Sequence, residues 1–317
     1  MSKKIRFGAI GRSEWLYDAV LRLVEDGHSP TFVITAREAP EYRRTAEDFR
    51  ALAEKLNVPF LQAARLSSME AQKFLGAATP TDCVISINYS SIIGHDVISR
   101  YRLGVLNAHG GDLPRYRGNA CQAWAVINGE TEVAMCIHRM VPDEVDAGDI
   151  LARSYLPTPL GTKIGDIYVW FDSVIPQLCS EAVSALAHDQ NYVVAHQSTN
   201  PADALRCYPR RPEDARIDWT MSPEAVVRLV CASGPPFSGA FSWLDETKIH
   251  ILDARIYDDG EQFCAVPGQI LHIDGEAGRI IVCAGNGKVS LGDFRLAGQA
   301  QLKFADCFKS IRQRFTF

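Results

Sequence analysis

Three polar side chains in the stretch Gly104–Asp149 have the types and order that acyl transfer requires. Asn107 and His109 lie two apart in a predicted strand, Gly104–His109, so both project from the same face. A turn-rich run, Gly110–Gly118, follows at once. Asp146 comes later, in Asp146-Ala147-Gly148-Asp149, after a second apolar strand at Glu132–Met140. An amide offers N–H donors to a developing oxyanion without adding charge. An imidazole offers a base or a donor, and a carboxylate offers an orienting charge. Each residue also has a plainer use: Asn107 could satisfy backbone groups, and Asp146 could be a turn residue. For His109 the functional reading is favoured, because Asn107 shares its face and a glycine-rich turn follows. No covalent nucleophile is needed. Cys121 lies nearby but has no sequence-local base and is read as core.

Asn107-Ala108-His109, then Leu113-Pro114-Arg115-Tyr116-Arg117-Gly118, then Asp146-Ala147-Gly148-Asp149 resembles the active-site signature of the formyltransferases that use N10-formyltetrahydrofolate. In that family the pattern is Asn-x-His, Leu-Pro-x-x-Arg-Gly and Asp-x-Gly. Each piece is common alone; the three in order, at this spacing, are specific. One departure is Gly111-Asp112 before Leu113-Pro114, where the family has Ser-Leu, which adds a carboxylate near the site. The resemblance implies Asn107, His109 and Asp146 as catalytic residues and N10-formyltetrahydrofolate as formyl donor. It also implies a pterin pocket between the Asn88–Ile93 and Val141–Val145 loops. Asn88, Tyr89, Ile92, Ile93, Leu113, Val141, Asp143 and Val145 are the expected cofactor contacts. For the strand-end loop Asn88–Gly94, a purely structural use of Ile92 and Ile93 as helix anchors weighs about equally. Arg12, Ser13, Arg115 and Tyr116 are the expected substrate contacts. Arg115 and Arg117 could meet phosphates or pin their loop, and for Arg117 the structural role is preferred. No metal site is expected.

The elements that must position these residues read as an α/β fold. Ile5–Ile10 is a compact strand, Gly11-Arg12-Ser13 turns it into a helix with Ser13 as N-cap, and Thr31–Thr35 is the next strand. This βαβ opening predicts an open, mostly parallel sheet flanked by helices. The turn has one glycine and no Gly-x-Gly-x-x-Gly, which disfavours dinucleotide binding. Helices are predicted at Thr45–Leu56 and Ser67–Leu75, and strands at Asp82–Ile87 and Ile150–Leu156. Thr162–Ala187 is a long amphipathic helix in which Pro176 predicts a kink or break.

Asn200–Trp219, rich in Pro, Arg and Asp, marks a boundary between a catalytic domain over 1–205 and a second domain over 206–317. There a short helix at Pro223–Cys231, capped by Ser222, precedes strands at Lys248–Tyr257, Gly268–Ile273, Arg279–Cys283 and Lys288–Leu296. Short strands with glycine turns predict a small barrel, and the resemblance implies an OB-like fold.

The chain has 317 residues and a formal charge of −5; the segment 206–317 balances to zero. Nucleic-acid binders usually carry a basic surface, so no nucleic-acid partner is expected. The nine cysteines are odd in number with no Cys-x-x-Cys spacing, and read as reduced, mostly buried hydrophobes. Met1–Arg6 is basic but lacks a signal peptide's apolar region, and no apolar run is long enough to cross a bilayer. A cytoplasmic enzyme without membrane insertion is expected.

The resembled family includes enzymes acting on methionyl-tRNA, on nucleotide-linked amino sugars and on glycinamide ribonucleotide, and a folate hydrolase. The last two usually lack a C-terminal domain of this kind. The loop Arg37–Arg44 mixes signs and is shorter than the basic insertion of the tRNA enzymes. The linker Arg211–Trp219 and the element Phe237–Trp243 resemble most the amino-sugar enzymes of lipopolysaccharide and O-antigen pathways. The expected acceptor is therefore a nucleoside-diphosphate amino sugar, and the expected assembly a homodimer. Methionyl-tRNA formylation is the alternative, and a non-catalytic folate or sugar-nucleotide binding protein the second.

Overall fold

The computed structural model describes residues 4–296 and 303–316; the basic start at Met1–Lys3 lies outside them. Two compact units emerge. One comprises Met1–Cys121, Ala134–Leu156 and Val169–Cys207, the other Gln122–Val133, Pro157–Tyr168 and Tyr208–Phe317.

In the first unit, β1 (Arg6–Gly11), α1 (Glu14–Glu25) and β2 (Ser29–Thr35) form the opening βαβ. They lead to α2 (Ala46–Leu56), β3 (Phe60–Gln62), α3 (Met69–Ala77), β4 (Cys83–Ile87), α4 (His95–Ile98) and β5 (Val105–His109). After β6 (Arg117–Gly118) and α5 (Cys121–Asn128), the latter almost wholly in the second unit, come β7 (Glu132–Arg139), β8 (Ile150–Pro157), α6 (Ile164–His188), whose first turn also falls in the second unit, and β9 (Arg206–Cys207). The main sheet has the order β3-β2-β1-β4-β5-β7-β8. Pairing is parallel from β3 through β5, and β7 runs antiparallel to β5. Phe7, Ile10, Phe32, Ile34, Val84 and Val105 are fully buried on these strands. Such near-continuous apolar runs are what a sheet covered on both faces demands.

Local signals explain most helix ends. Thr45 caps α2 through a reciprocal pair with Asp48, and Ser68 accepts the Ala71 N–H at the start of α3. Ser13 sits at the N-cap position but at φ +80°, and its hydroxyl makes no capping bond. Helix α6 continues through Pro176 without a break. Proline costs the helix one N–H bond. Phe171, Val174, Ile175, Leu178 and Cys179, buried on both sides of it, hold the helix in register.

The second unit carries α7 (Pro223–Ser233), capped by Ser222, then β10 (Ala240–Leu244), β11 (Thr247–Tyr257), β12 (Ile270–Asp274), β13 (Arg279–Ala284), β14 (Gly287–Leu296) and β15 (Phe315–Thr316). The antiparallel order is β12-β13-β14-β11-β10-β15. Its two edges meet: Phe315 N–H donates to the Gly268 carbonyl at 2.8 Å, and Ile270 N–H to that of Gln313 at 3.2 Å. The sheet therefore curls into the small OB-like barrel expected, which leaves few open edges. Trp219 is buried against Phe315, ring centroids 5.2 Å apart, and its indole N–H donates to Ser242 at 3.0 Å.

Candidate active site

Strand β5 ends at His109, and the chain immediately folds back over it. Gly111 makes this approach feasible: a Cβ there would lie 2.3 Å from the Tyr116 carbonyl oxygen and 2.7 Å from His109 Nε2. The buried imidazole donates from Nε2 to that carbonyl at 2.7 Å. Its other nitrogen, Nδ1, faces Asp146 Oδ2 at 3.5 Å. Asp146 sits at φ +57° in the loop after β7. Its Oδ2 accepts the Gly118 N–H at 2.9 Å, and its Oδ1 lies 3.4 Å from His138 Nε2.

The loop is tied from outside. Gln197 donates from its side-chain amide to the backbone carbonyls of Asp146 and Gly148 at 2.8 and 2.7 Å, and Arg117 donates to the Gln197 side-chain Oε1 at 2.8 Å. Gly148 packs so tightly that a Cβ would meet the Arg139 carbonyl oxygen at 1.6 Å.

Electrostatics follow from this packing. Burial works to raise the Asp146 carboxyl, but His109, His138 and the Gly118 N–H overcome it and hold the group well below the usual carboxylate range. Burial lowers His109 more than Asp146 raises it, so the ring tends to be neutral near pH 7. A neutral ring that donates from Nε2 leaves a lone pair on Nδ1, beside an ionised carboxylate. Burial pushes the Cys121 thiol up, consistent with an inert core position.

Asn107, His109 and Asp146 open onto one cavity of about 590 Å³ at the carboxyl ends of β4 and β5. Its walls include Asn88, Tyr89, Ile92 and Ile93 on one side and Val141, Asp143 and Val145 on the other. The Tyr89 hydroxyl donates to the Ala63 carbonyl at 2.7 Å, and Ile93 is part of the core beneath, whereas Ile92 is 84% exposed. Leu113 is placed elsewhere. It is buried among Ala134, Cys136 and Ile150, because the turn after His109 drives it into the core instead of the cavity.

The expected substrate contacts are dispersed. Arg12 donates to the carbonyls of Asn88 and Arg37, at 2.8 and 3.0 Å, and so ties two loops together. Ser13 is fully buried, with Asn88 Nδ2 3.4 Å from its hydroxyl. The Tyr116 side chain is buried, and Arg115 lies over its ring and beside a separate shallow cavity formed with Pro114 and Ala202–Leu205. Asp112 accepts from Tyr155 at 3.0 Å and pairs with Arg153 at 3.4 Å, which accounts for the extra carboxylate as a loop anchor.

Two residues escaped the sequence reading, Gln197 behind the Asp146 loop and Arg206 at the cavity rim, and a third, His138 beneath the trio, is ambiguous from sequence alone. Its signal is a histidine on the strand preceding the Asp146 loop; Gln197 and Arg206 carry none.

Residues 3–182 match the family described as formyl transferase, and residues 210–312 match its C-terminal domain. The chain belongs to the formyl transferase family. It is 26% identical over 313 residues to methionyl-tRNA formyltransferase of Geobacter sulfurreducens, covering 97% of this chain and 94% of that one. Among solved structures it shares the fold of a Helicobacter canadensis N-formyltransferase in complex with folinic acid and dTDP-3-aminofucose. That match has a TM-score of 0.67 at 11% identity and covers 92% of this chain and all of that one. HypX from Aquifex aeolicus, in complex with tetrahydrofolic acid, has the same fold at a TM-score of 0.61 and 18% identity. The match covers 98% of this chain and about half, 48%, of the HypX chain. The chain is thus a formyltransferase. No helix among its described residues is long and apolar enough to cross a membrane.

Proposed function

We propose that this formyltransferase moves the formyl group of N10-formyltetrahydrofolate onto the amine of a nucleoside-diphosphate-linked amino sugar, as in the making of lipopolysaccharide or O-antigen. The observation that carries the chemistry is the convergence of Asn107, His109 and Asp146 on one cavity. That cavity has the volume for a flat heterocycle, and its walls mix apolar side chains such as Ile93, Met140 and Val141 with polar groups that could orient one. Asn88, Tyr89, Ile92, Ile93, Val141, Asp143 and Val145 would hold the folate there. The donor, when bound, supplies an activated one-carbon acyl group. The acceptor amine attacks the formyl carbon, and the Asn107 amide N–H stabilises the charge developing on the formyl oxygen. His109 Nδ1 takes the proton from the amine and shares it with Asp146, which also stabilises the resulting cation. The proton then passes to the departing folate nitrogen.

The choice of acceptor rests on electrostatics. Two of the three arginines of the Arg37–Arg44 loop are already committed. Arg43 pairs with Glu14 and Asp172 at 3.2 and 2.7 Å, and Arg44 pairs with Asp48 at 3.5 Å and stacks on Tyr17. A polyanion needs many phosphate contacts, whereas a nucleoside diphosphate needs one or two cations. Arg206, exposed at the rim of the cavity that holds the trio, offers such a cation, and Arg115 lines the separate shallow cavity beside Ala202–Leu205. The sugar-nucleotide complex of the Helicobacter canadensis enzyme, which shares this fold, supports the same reading. On this view the C-terminal barrel serves dimerisation or stability, and no nucleic acid binds.

The name of the Geobacter sulfurreducens relative favours methionyl-tRNA as the competing acceptor. Parallel kinetics with methionyl-tRNA and a panel of nucleoside-diphosphate amino sugars, at low and moderate salt, decide between them. Turnover of an amino-sugar nucleotide with weak salt dependence is expected. Efficient formylation of the tRNA alone would overturn the acceptor while leaving the trio intact. Absence of folate-dependent turnover with every acceptor would favour the third reading, a binding protein.

A further inference from the structure

His138 is the largest unexplained polar feature near the site. It is fully buried, as few histidines are without a task for both ring nitrogens. It lies directly opposite Asn107 in the antiparallel β5–β7 pair, so the two side chains are nearest cross-strand neighbours. Its Nδ1 lies 3.3 Å from the Arg139 carbonyl oxygen, which can only accept. A hydrogen on Nδ1, directed at that carbonyl, leaves Nε2 as the ring's acceptor. Nε2 is 3.1 Å from Asn107 Nδ2. The same atom lies 3.4 Å from Asp146 Oδ1.

We propose that His138 is a positioning residue: its Nε2 accepts one N–H of Asn107 and thereby fixes the amide so that the remaining N–H points at the formyl oxygen. An unrestrained asparagine amide rotates about a broad torsion and can present either its oxygen or its nitrogen. Oxygen toward the developing charge would be repulsive. His138 removes that choice from the neighbouring strand and also borders Asp146. His109 stands edge-on to it, ring centroids 6.1 Å apart. This inference rests on the proposed role of Asn107.

The test is a double-mutant cycle on the full chain with His138→Phe, His138→Gln and Asn107→Ala, reading kcat and KM for the folate donor. His138→Phe should lower kcat about 10-fold to 100-fold, the range for losing a hydrogen bond to a group that becomes charge-bearing, with KM changed less than about twofold. His138→Gln, which can place an acceptor near the lost Nε2, should recover most of kcat. Combined with Asn107→Ala, the His138→Phe loss should largely vanish, since the residue it positions is gone. Additive losses in the double mutant, or a rise in KM with kcat intact, would overturn the proposal. If His138→Phe does not fold, the cycle is run with His138→Gln and His138→Leu, with the same criteria. An Asn107→Ala variant of normal activity would instead sink the proposed role of Asn107 itself, an outcome separate from failure of the His138 coupling.

Discussion

Buried charge is used differently in the two units. In the barrel, Asp253 accepts from Arg279 at 2.7 Å and pairs with Lys163 at 3.2 Å, while Arg279 also donates to Ser290 at 2.8 Å. Those partners are at ordinary hydrogen-bond distance and the network is spent on itself. In the catalytic unit, Asp146 has one short partner, the Gly118 N–H, and two imidazoles held off at 3.4 and 3.5 Å beside a cavity. Both carboxyls lie below their ordinary range, although burial alone would raise them. A low carboxyl therefore does not distinguish structure from catalysis. What separates the two clusters is that one closes on itself and the other borders a cavity.

The largest test of that contrast pairs His109→Asn with Asp253→Asn. General acid–base groups typically contribute about 100-fold to 10,000-fold. His109→Asn should cost kcat in that range and shift the melting temperature little. Asp253→Asn should do the reverse. It weakens hydrogen bonds between charged groups, so unfolding free energy should fall by about 1.5–3 kcal/mol with kcat unchanged within about twofold. Denaturant titration and steady-state kinetics on both variants read this directly. If His109→Asn destabilises the chain and leaves kcat intact, the two clusters are of the same kind.

A pH profile sharpens the comparison. His109 lies below its ordinary value of 6.5 because burial outweighs Asp146. As a base it must be neutral, so kcat/KM should rise with pH through a midpoint below 6.5 and be flat at 7. The linkage has the same sign. A histidine with a depressed folded pKa contributes stability that is complete above 6.5 and is lost as pH falls through it. Asp146, its carboxyl held below the ordinary 3.8, likewise contributes stability that is present above that value and lost in stronger acid. An acid limb centred above pH 7, or one that persists in His109→Asn, would assign the ionisation to another group.

How far these features could be read beforehand depended on whether they were local. The period of two put Asn107 and His109 on one face, and the turn chemistry around Ser222, Thr45 and the barrel glycines marked ends that the structure reproduces within a few residues. Tertiary register was not legible. His138 matters because β7 pairs antiparallel with β5 and sets it opposite Asn107. Gln197 matters because a distant segment returns to the Asp146 loop. Leu113 sits in a motif yet turns inward, because the tight return at Gly111 dictates its direction. Short pairings such as β6 with β9 have too few residues to show any period.

The smallest expected effect concerns the acceptor. Arg43 is the most exposed partner in its ion pairs, 64% accessible at the side chain, and such pairs are worth about 0–1 kcal/mol. If its charge is occupied by Glu14 and Asp172, Arg43→Ala should leave KM for an amino-sugar nucleotide within about twofold and the salt dependence of kcat/KM unaltered. If instead the loop binds a polynucleotide, each lost phosphate contact should shallow the slope of log K against log salt by about 0.7–0.9. Arg206→Ala is the counterpart at the cavity rim, and there KM for the nucleotide should rise several-fold. An Arg43→Ala variant that loses salt sensitivity, alongside an Arg206→Ala variant without effect, would move the acceptor site to the Arg37–Arg44 loop and favour the tRNA.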